Sequence, residues 1–202
     1  MKEKIIRYLK ETYHPRALMV YGSYQRGDWD EYSDFDCMII VDGKEKKHDE
    51  TVFDGVPLDC FIFTVKETEQ EDPDTFLTAY DSEIVLDDGT GAALQRRVRE
   101  YVRAHTVTAP EDKAFIRAWY LKSLHRMEKN DDEGNYRAAA LLGESLADYF
   151  LLRDMFYFGS KKGIACLKAD DPAGYALFHE AVTRRERTGI TAWAEYVIAS
   201  QT

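Results

Sequence analysis

Every strand-like run in this chain lies before residue 106, and every segment after it reads as helix. A sheet must therefore be built from the first half alone, while the second half must bury its helices against one another. This predicts an α+β protein, with a small mixed-sheet domain over residues 1–107 followed by an α-helical bundle over residues 108–202.

The first half opens with a helix over residues 2–13, where Ile5, Ile6 and Leu9 share one face and His14-Pro15 stops the turn. Strands are predicted from Ala17 to Tyr21, from Phe35 to Val41, and from Glu83 to Leu86. Thr51 to Phe53 and Val56 to Val65, joined at Asp54-Gly55, read as a hairpin. Ala92 to His105 is helical. Further helices are expected from near Pro110, where Ile116, Tyr120, Leu124 and Met127 form a stripe, and from Tyr136 to Phe158. Shorter ones should cover Ser160 to Lys168, Pro172 to Arg187 and Thr191 to Ser200, with Gly159 ending one helix and Ser160 capping the next.

A hydrophobic content of 45% with 32% charged residues excludes a disordered or low-complexity chain. The longest apolar runs are no longer than stretches such as Cys37 to Val41, so no transmembrane helix fits, and the first residues lack a signal-peptide core. Cys37, Cys60 and Cys166 form no CxxC and are odd in number, which suits reduced thiols and a cytoplasmic location. The net charge of −10 is uneven, because residues 1–104 carry 14 Lys and Arg against 23 Asp and Glu. That acidity argues against an extended nucleic-acid surface, which needs clustered positive charge.

The chemistry concentrates between residues 20 and 60. In Val20-Tyr-Gly-Ser-Tyr-Gln-Arg-Gly27 a strand meets a short helix at Gly22-Ser23, where the backbone can approach a phosphate closely. Ten residues later, Asp34 and Asp36 flank Phe35 at the start of an apolar strand. Residues i and i+2 of a strand share a face, so the two carboxylates point together and repel, which a divalent cation resolves. Asp59 interrupts Val56-Pro-Leu-Asp-Cys-Phe-Ile-Phe63 on the face opposite Leu58, Cys60 and Ile62. If this strand pairs with Phe35–Val41, Asp59 joins Asp34 and Asp36 while Cys37 and Cys60 lie beneath. Three hard oxygen ligands suit Mg²⁺, and two such ions suit phosphoryl or nucleotidyl transfer. An EF-hand reading of Asp28-Trp-Asp30 fails at Ser33 and Ile39, and neither the dinucleotide nor the P-loop glycine pattern is present.

Gly22-Ser23, the spacer with Arg26-Gly27 and Ser33, then Asp34-Phe35-Asp36 and the later Asp59, resemble the signature of the DNA polymerase β-type nucleotidyltransferase superfamily over residues 15–105. The resemblance implies a mixed sheet flanked by helices with the site at the sheet's open face, and transfer of a nucleoside monophosphate from an NTP to a hydroxyl with release of pyrophosphate. It implies that Asp34, Asp36 and Asp59 hold two Mg²⁺ ions (Mn²⁺ as a substitute), and that Gly22, Ser23 and Arg26 meet the nucleotide. Asp59 would also favour the ionised acceptor.

A sheet followed by a helical bundle is similar to the aminoglycoside and lincosamide nucleotidyltransferases, which implies a small hydroxylated acceptor and ATP as the first nucleotide to consider. In those relatives a Glu from the second domain acts as general base, so Glu144 is the candidate, on one helical face with Arg137 and Asp148. Lys161 and Lys162 are the candidates to reach the triphosphate. The group Tyr149, Phe150, Phe156, Tyr157 and Phe158 reads as core. The alternatives are an antitoxin-type protein that modifies or masks a protein partner, and an inactive nucleotide-binding module. Arg99 and His105 fit the spacing of a helical ribonuclease toxin motif but precede the bundle. Apolar patches such as Tyr175 to Phe178 serve the core or a homodimer equally well.

Overall fold

A computed structural model describes residues 1–199; Ser200, where the last predicted helix was to end, lies outside the described residues. The chain divides into two compact units, Met1–Val102 and Arg103–Thr202.

The first unit is a mixed α/β body around a six-stranded sheet. Its elements are α1 (Lys2–Tyr13), β1 (Ala17–Val20), α2 (Gly22–Arg26), β2 (Phe35–Val41), β3 (His48–Asp49), β4 (Val52–Phe53), β5 (Val56–Thr64), α3 (Val65–Gln70), a 3-10 helix (Pro73–Tyr80), β6 (Glu83–Asp87) and α4 (Thr90–Ala104). The strand order is β3-β5-β2-β1-β6, with β4 also on β5. Only β2 and β5 run parallel, Phe35 opposite Leu58 and Val41 opposite Thr64. The other pairings are antiparallel.

Alternation along β2 and β5 makes two layers. Cys37, Ile39 and Val41 join Leu58, Cys60 and Ile62 in one buried cluster with Leu18 and Val20, closed by Ile5, Ile6 and Leu9 of α1. On the other face Met38 and Ile40 are also buried, so β2 is covered on both sides beyond Asp36. There Phe76 of the 3-10 helix meets Phe63 edge-on at 5.0 Å, and Gly91 brings the start of α4 against Ala17. Burying a side chain such as Phe76 contributes about 2–3 kcal/mol. The expected open face is thus found at the N-terminal end of β2 and along β5 from Asp59 to exposed Phe61.

The second unit is helical: α5 (Pro110–Met127), α6 (Asp132–Leu151), α7 (Ser160–Asp170), α8 (Pro172–Arg184) and α9 (Arg187–Ile198). Tyr120, Leu141, Leu146, Tyr149, Phe150, Phe178 and Trp193 lie in its core. The indole Nε1 of fully buried Trp193 donates to Ser145 Oγ at 2.8 Å, and that hydroxyl donates to Leu142 O. Asp171 accepts from Tyr149 and Tyr196 hydroxyls, each at 2.8 Å, and from Gly174 N at 2.9 Å, tying α6, α8 and α9 together.

Several element boundaries differ from the sequence reading. The helix expected to reach Phe158 ends at Leu151, because Asp154 takes a left-handed φ of 55° and Met155 N bonds Phe150 O while Asp154 N bonds Leu151 O. The Asp154 carboxylate then accepts from Thr108 N and Lys113 Nζ, at 2.9 and 2.6 Å, which holds the chain out of the helix. Gly159, at φ 87°, is the N-cap of α7 rather than the end of α6, and Ser160 is the first helical residue rather than the cap. α8 stops at Arg184, where Arg185 turns left-handed at φ 56°, and α9 starts at Arg187. Strand β3, α3 and the 3-10 helix have no counterpart in the sequence reading.

Candidate metal centre

Asp34 precedes β2, Asp36 is its second residue, and the parallel register sets Asp59 directly opposite Asp36. Carboxylate oxygens of Asp34, Asp36 and Asp59 all lie within 4.8 Å of one another. The strand pairing that the sequence reading required is the one observed, with Cys37 opposite Cys60 on the buried side. Burial, with the neighbouring Cys60 thiol, pushes the Cys37 thiol well up, so it stays protonated beneath the acids.

Two like charges about 4 Å apart repel by roughly 4 kcal/mol at an effective dielectric of 20. A divalent cation removes that cost. Octahedral Mg²⁺ keeps its oxygens about 2.1 Å away, hence roughly 3–4 Å from each other. The donor set, oxygen only and tri-anionic, fits Mg²⁺ or Mn²⁺.

The surroundings are shaped for close approach. Gly22, at φ 69°, opens α2 with only Tyr21 between it and the end of β1, and a Cβ built there would overlap the Asp36 carboxylate. Tyr21 N donates to Asp36 O at 3.2 Å, fastening the turn to β2. Burial, and then the nearby charges of Asp59 and Asp36, push the Tyr21 phenol up, so it stays neutral beside the acids. Ser23 is half-buried at the start of α2, and its carbonyl accepts from Gly27 N and Asp28 N. Arg26 is exposed and paired with Asp28 at 3.1 Å.

One neighbour had no sequence signal. The ring of His48 stacks on Phe61, its register partner across the β3–β5 pairing, at 4.4 Å, and its Nε2 meets Asp59 Oδ1 at 2.6 Å. A two-residue strand in a Lys-rich loop carries too little periodicity to be read, so nothing pointed to His48. Asp49 beside it is buried on the other face. Burial pushes its pKa up, but bonds from Tyr13, Thr51 and Lys46 outweigh that and hold the carboxyl below its usual range.

The remaining candidates sit in the second unit. Glu144 is exposed on α6, one turn before half-buried Asp148, which accepts from Tyr120 at 3.1 Å. Burial raises the Asp148 carboxyl, with Glu144 adding to it. Arg137 pairs with Glu133 at 3.2 Å. Lys161 and Lys162 are exposed in the first turn of α7, Lys162 Nζ lying 5.3 Å from the centre of the Phe158 ring.

A family model described as a nucleotidyltransferase domain matches residues 2–142, which takes in the whole acidic centre. The chain belongs to the nucleotidyltransferase domain family. The matched residues of this nucleotidyltransferase domain stop short of Glu144, Lys161 and Lys162. Among solved structures, a nucleotidyltransferase-like protein from Exiguobacterium sibiricum 255-15 is similar at 10% identity and a TM-score of 0.45, the match covering 98% of this chain and 74% of that one. No curated protein matches the chain. No helix among the described residues is long and apolar enough to cross a membrane.

Proposed function

We propose that this nucleotidyltransferase transfers a nucleoside monophosphate from an NTP, ATP first among them, to a hydroxyl of a small acceptor, with an aminoglycoside- or lincosamide-like compound the first class to test. The observation that carries the reading is the meeting of Asp34, Asp36 and Asp59 oxygens within 4.8 Å in a chain of this family. In this reading residues 1–107 bind metal and nucleotide, and residues 108–202 select the acceptor.

Asp34, Asp36 and Asp59 would hold Mg²⁺ or Mn²⁺, which when bound neutralises triphosphate charge and orients the leaving group. The acceptor oxygen forms a bond to the α-phosphorus as the bond from that phosphorus to the β-bridging oxygen breaks, and pyrophosphate leaves. The acceptor's proton passes to a carboxylate, Asp59 or Glu144. Gly22 and Ser23 offer a close backbone surface to the phosphates, with Arg26, Lys161 and Lys162 as further cationic partners.

The test is labelled-nucleotide transfer with each of four NTPs against a panel of small hydroxylated acceptors, tRNA and protein. Asp59→Asn should lose activity that excess Mn²⁺ partly restores. Glu144→Gln should leave metal and nucleotide binding intact and slow transfer by about 10²–10⁴-fold if it is the base. A wild-type protein that binds no nucleotide in the presence of Mg²⁺ would overturn the proposal.

A further inference from the structure

We propose that His48 is a positioning residue for this centre: its imidazole locks the Asp59 carboxylate in the orientation that a cation shared with Asp34 and Asp36 requires. The inference rests on the reading of these three aspartates as a metal site.

The three carboxylates are restrained by different means. Asp36 is hemmed by Gly22, whose missing Cβ leaves room for that carboxylate and no more. Asp59 stands on β5, with the outermost strand β3 as its neighbour away from β2. The terminal torsion of an aspartate is broad, so a strand position alone does not fix where its oxygens point. The contact that does so is the 2.6 Å bond from His48 Nε2 to Asp59 Oδ1. A carboxylate only accepts, so Nε2 carries the proton. The imidazole is itself held by stacking: it lies on Phe61, with the ring planes 16° apart. A ring fixed in plane and position makes a directional donor, and outer partners of this kind set ligand geometry.

The ring and the N–H can be separated by substitution. His48→Phe keeps a ring to stack on Phe61 and removes the donor. His48→Gln keeps a donor of similar reach and removes the ring. His48→Ala serves the first arm should the phenyl ring disturb folding. The full chain of each is titrated with Mn²⁺ alone, followed by electron paramagnetic resonance, and its melting temperature is measured without metal.

The expected result is a 10–100-fold weaker Mn²⁺ affinity for His48→Phe, or His48→Ala in its place, with His48→Gln within a few-fold of wild type. Transfer assays should then show a raised Mn²⁺ requirement for His48→Phe, with kcat largely recovered at saturating metal. Wild-type affinity in His48→Phe overturns the proposal, as does a loss in His48→Gln equal to or larger than that in His48→Phe, because the ring would then be structural. Asp36→Asn is the separate control. If wild type binds no Mn²⁺, or Asp36→Asn binds it equally well, the metal-site reading itself falls, whatever the His48 variants do.

Discussion

Gly22 sits where two demands coincide. Its φ of 69° costs an L-residue about 1–2 kcal/mol, and the space its Cβ would fill belongs to the Asp36 carboxylate. Gly22→Ala should therefore cost about 1–3 kcal/mol of stability, and it should abolish Mn²⁺ binding because Asp36 must swing away. Urea unfolding and metal titration read the two effects separately. Glu67 offers a pH prediction. Burial raises its carboxyl, but Lys44 and the Thr64 amide and hydroxyl outweigh burial and bring it down to about 2. A folded value below the unfolded one means its stabilisation is complete above the ordinary glutamate range and drains away as the pH falls toward 2. Glu67→Gln should destabilise at pH 7, and the difference from wild type should narrow at pH 3, measured by denaturant midpoints.

At the scale of elements, β2 and β5 were legible because aspartates interrupt an otherwise apolar alternation. That pattern sets the face of each residue, and the pairing followed from placing three carboxylates together. The meeting of the three carboxylates was thus readable from the residues. The strand carrying His48 was not, since two residues define no period. Nor was the end of α6, where the aromatic residues 156–158 continue an apolar pattern and the stop comes from a left-handed Asp154 whose carboxylate has partners on α5 and the segment before it. Propensity does not encode such a long-range bond. The packing of α6 on α9 gives a sharper test. Ser145→Ala removes the acceptor of the fully buried Trp193 indole N–H and should cost about 1–3 kcal/mol, seen as a lower urea midpoint at unchanged slope.

For the whole molecule, the net charge of −10 makes cations the natural ligands. Adding Mg²⁺ with an NTP should raise the wild-type melting temperature by mass action, worth about 2.7 kcal/mol at a hundred times Kd. Asp34→Asn should remove that dependence while leaving the metal-free protein equally stable or more so, since one repelling charge is gone. Scanning calorimetry with and without EDTA decides it. A metal-free Asp34→Asn protein much less stable than wild type would place Asp34 in a folding role instead.

The short outer strand β3 has a consequence in time rather than in space. Edge pairings of two residues break in local fluctuations, while the seven-rung β2–β5 pairing, buried on both sides along β2, opens only with the domain. Amide hydrogens of Cys37 to Val41 should therefore outlast those around His48 by orders of magnitude in deuterium exchange. An opening of the edge that frees the imidazole from Asp59 should leave the backbone bearing Asp36 and Asp59 in register, so the alignment of the carboxylates should be lost and regained faster than the strands that carry them.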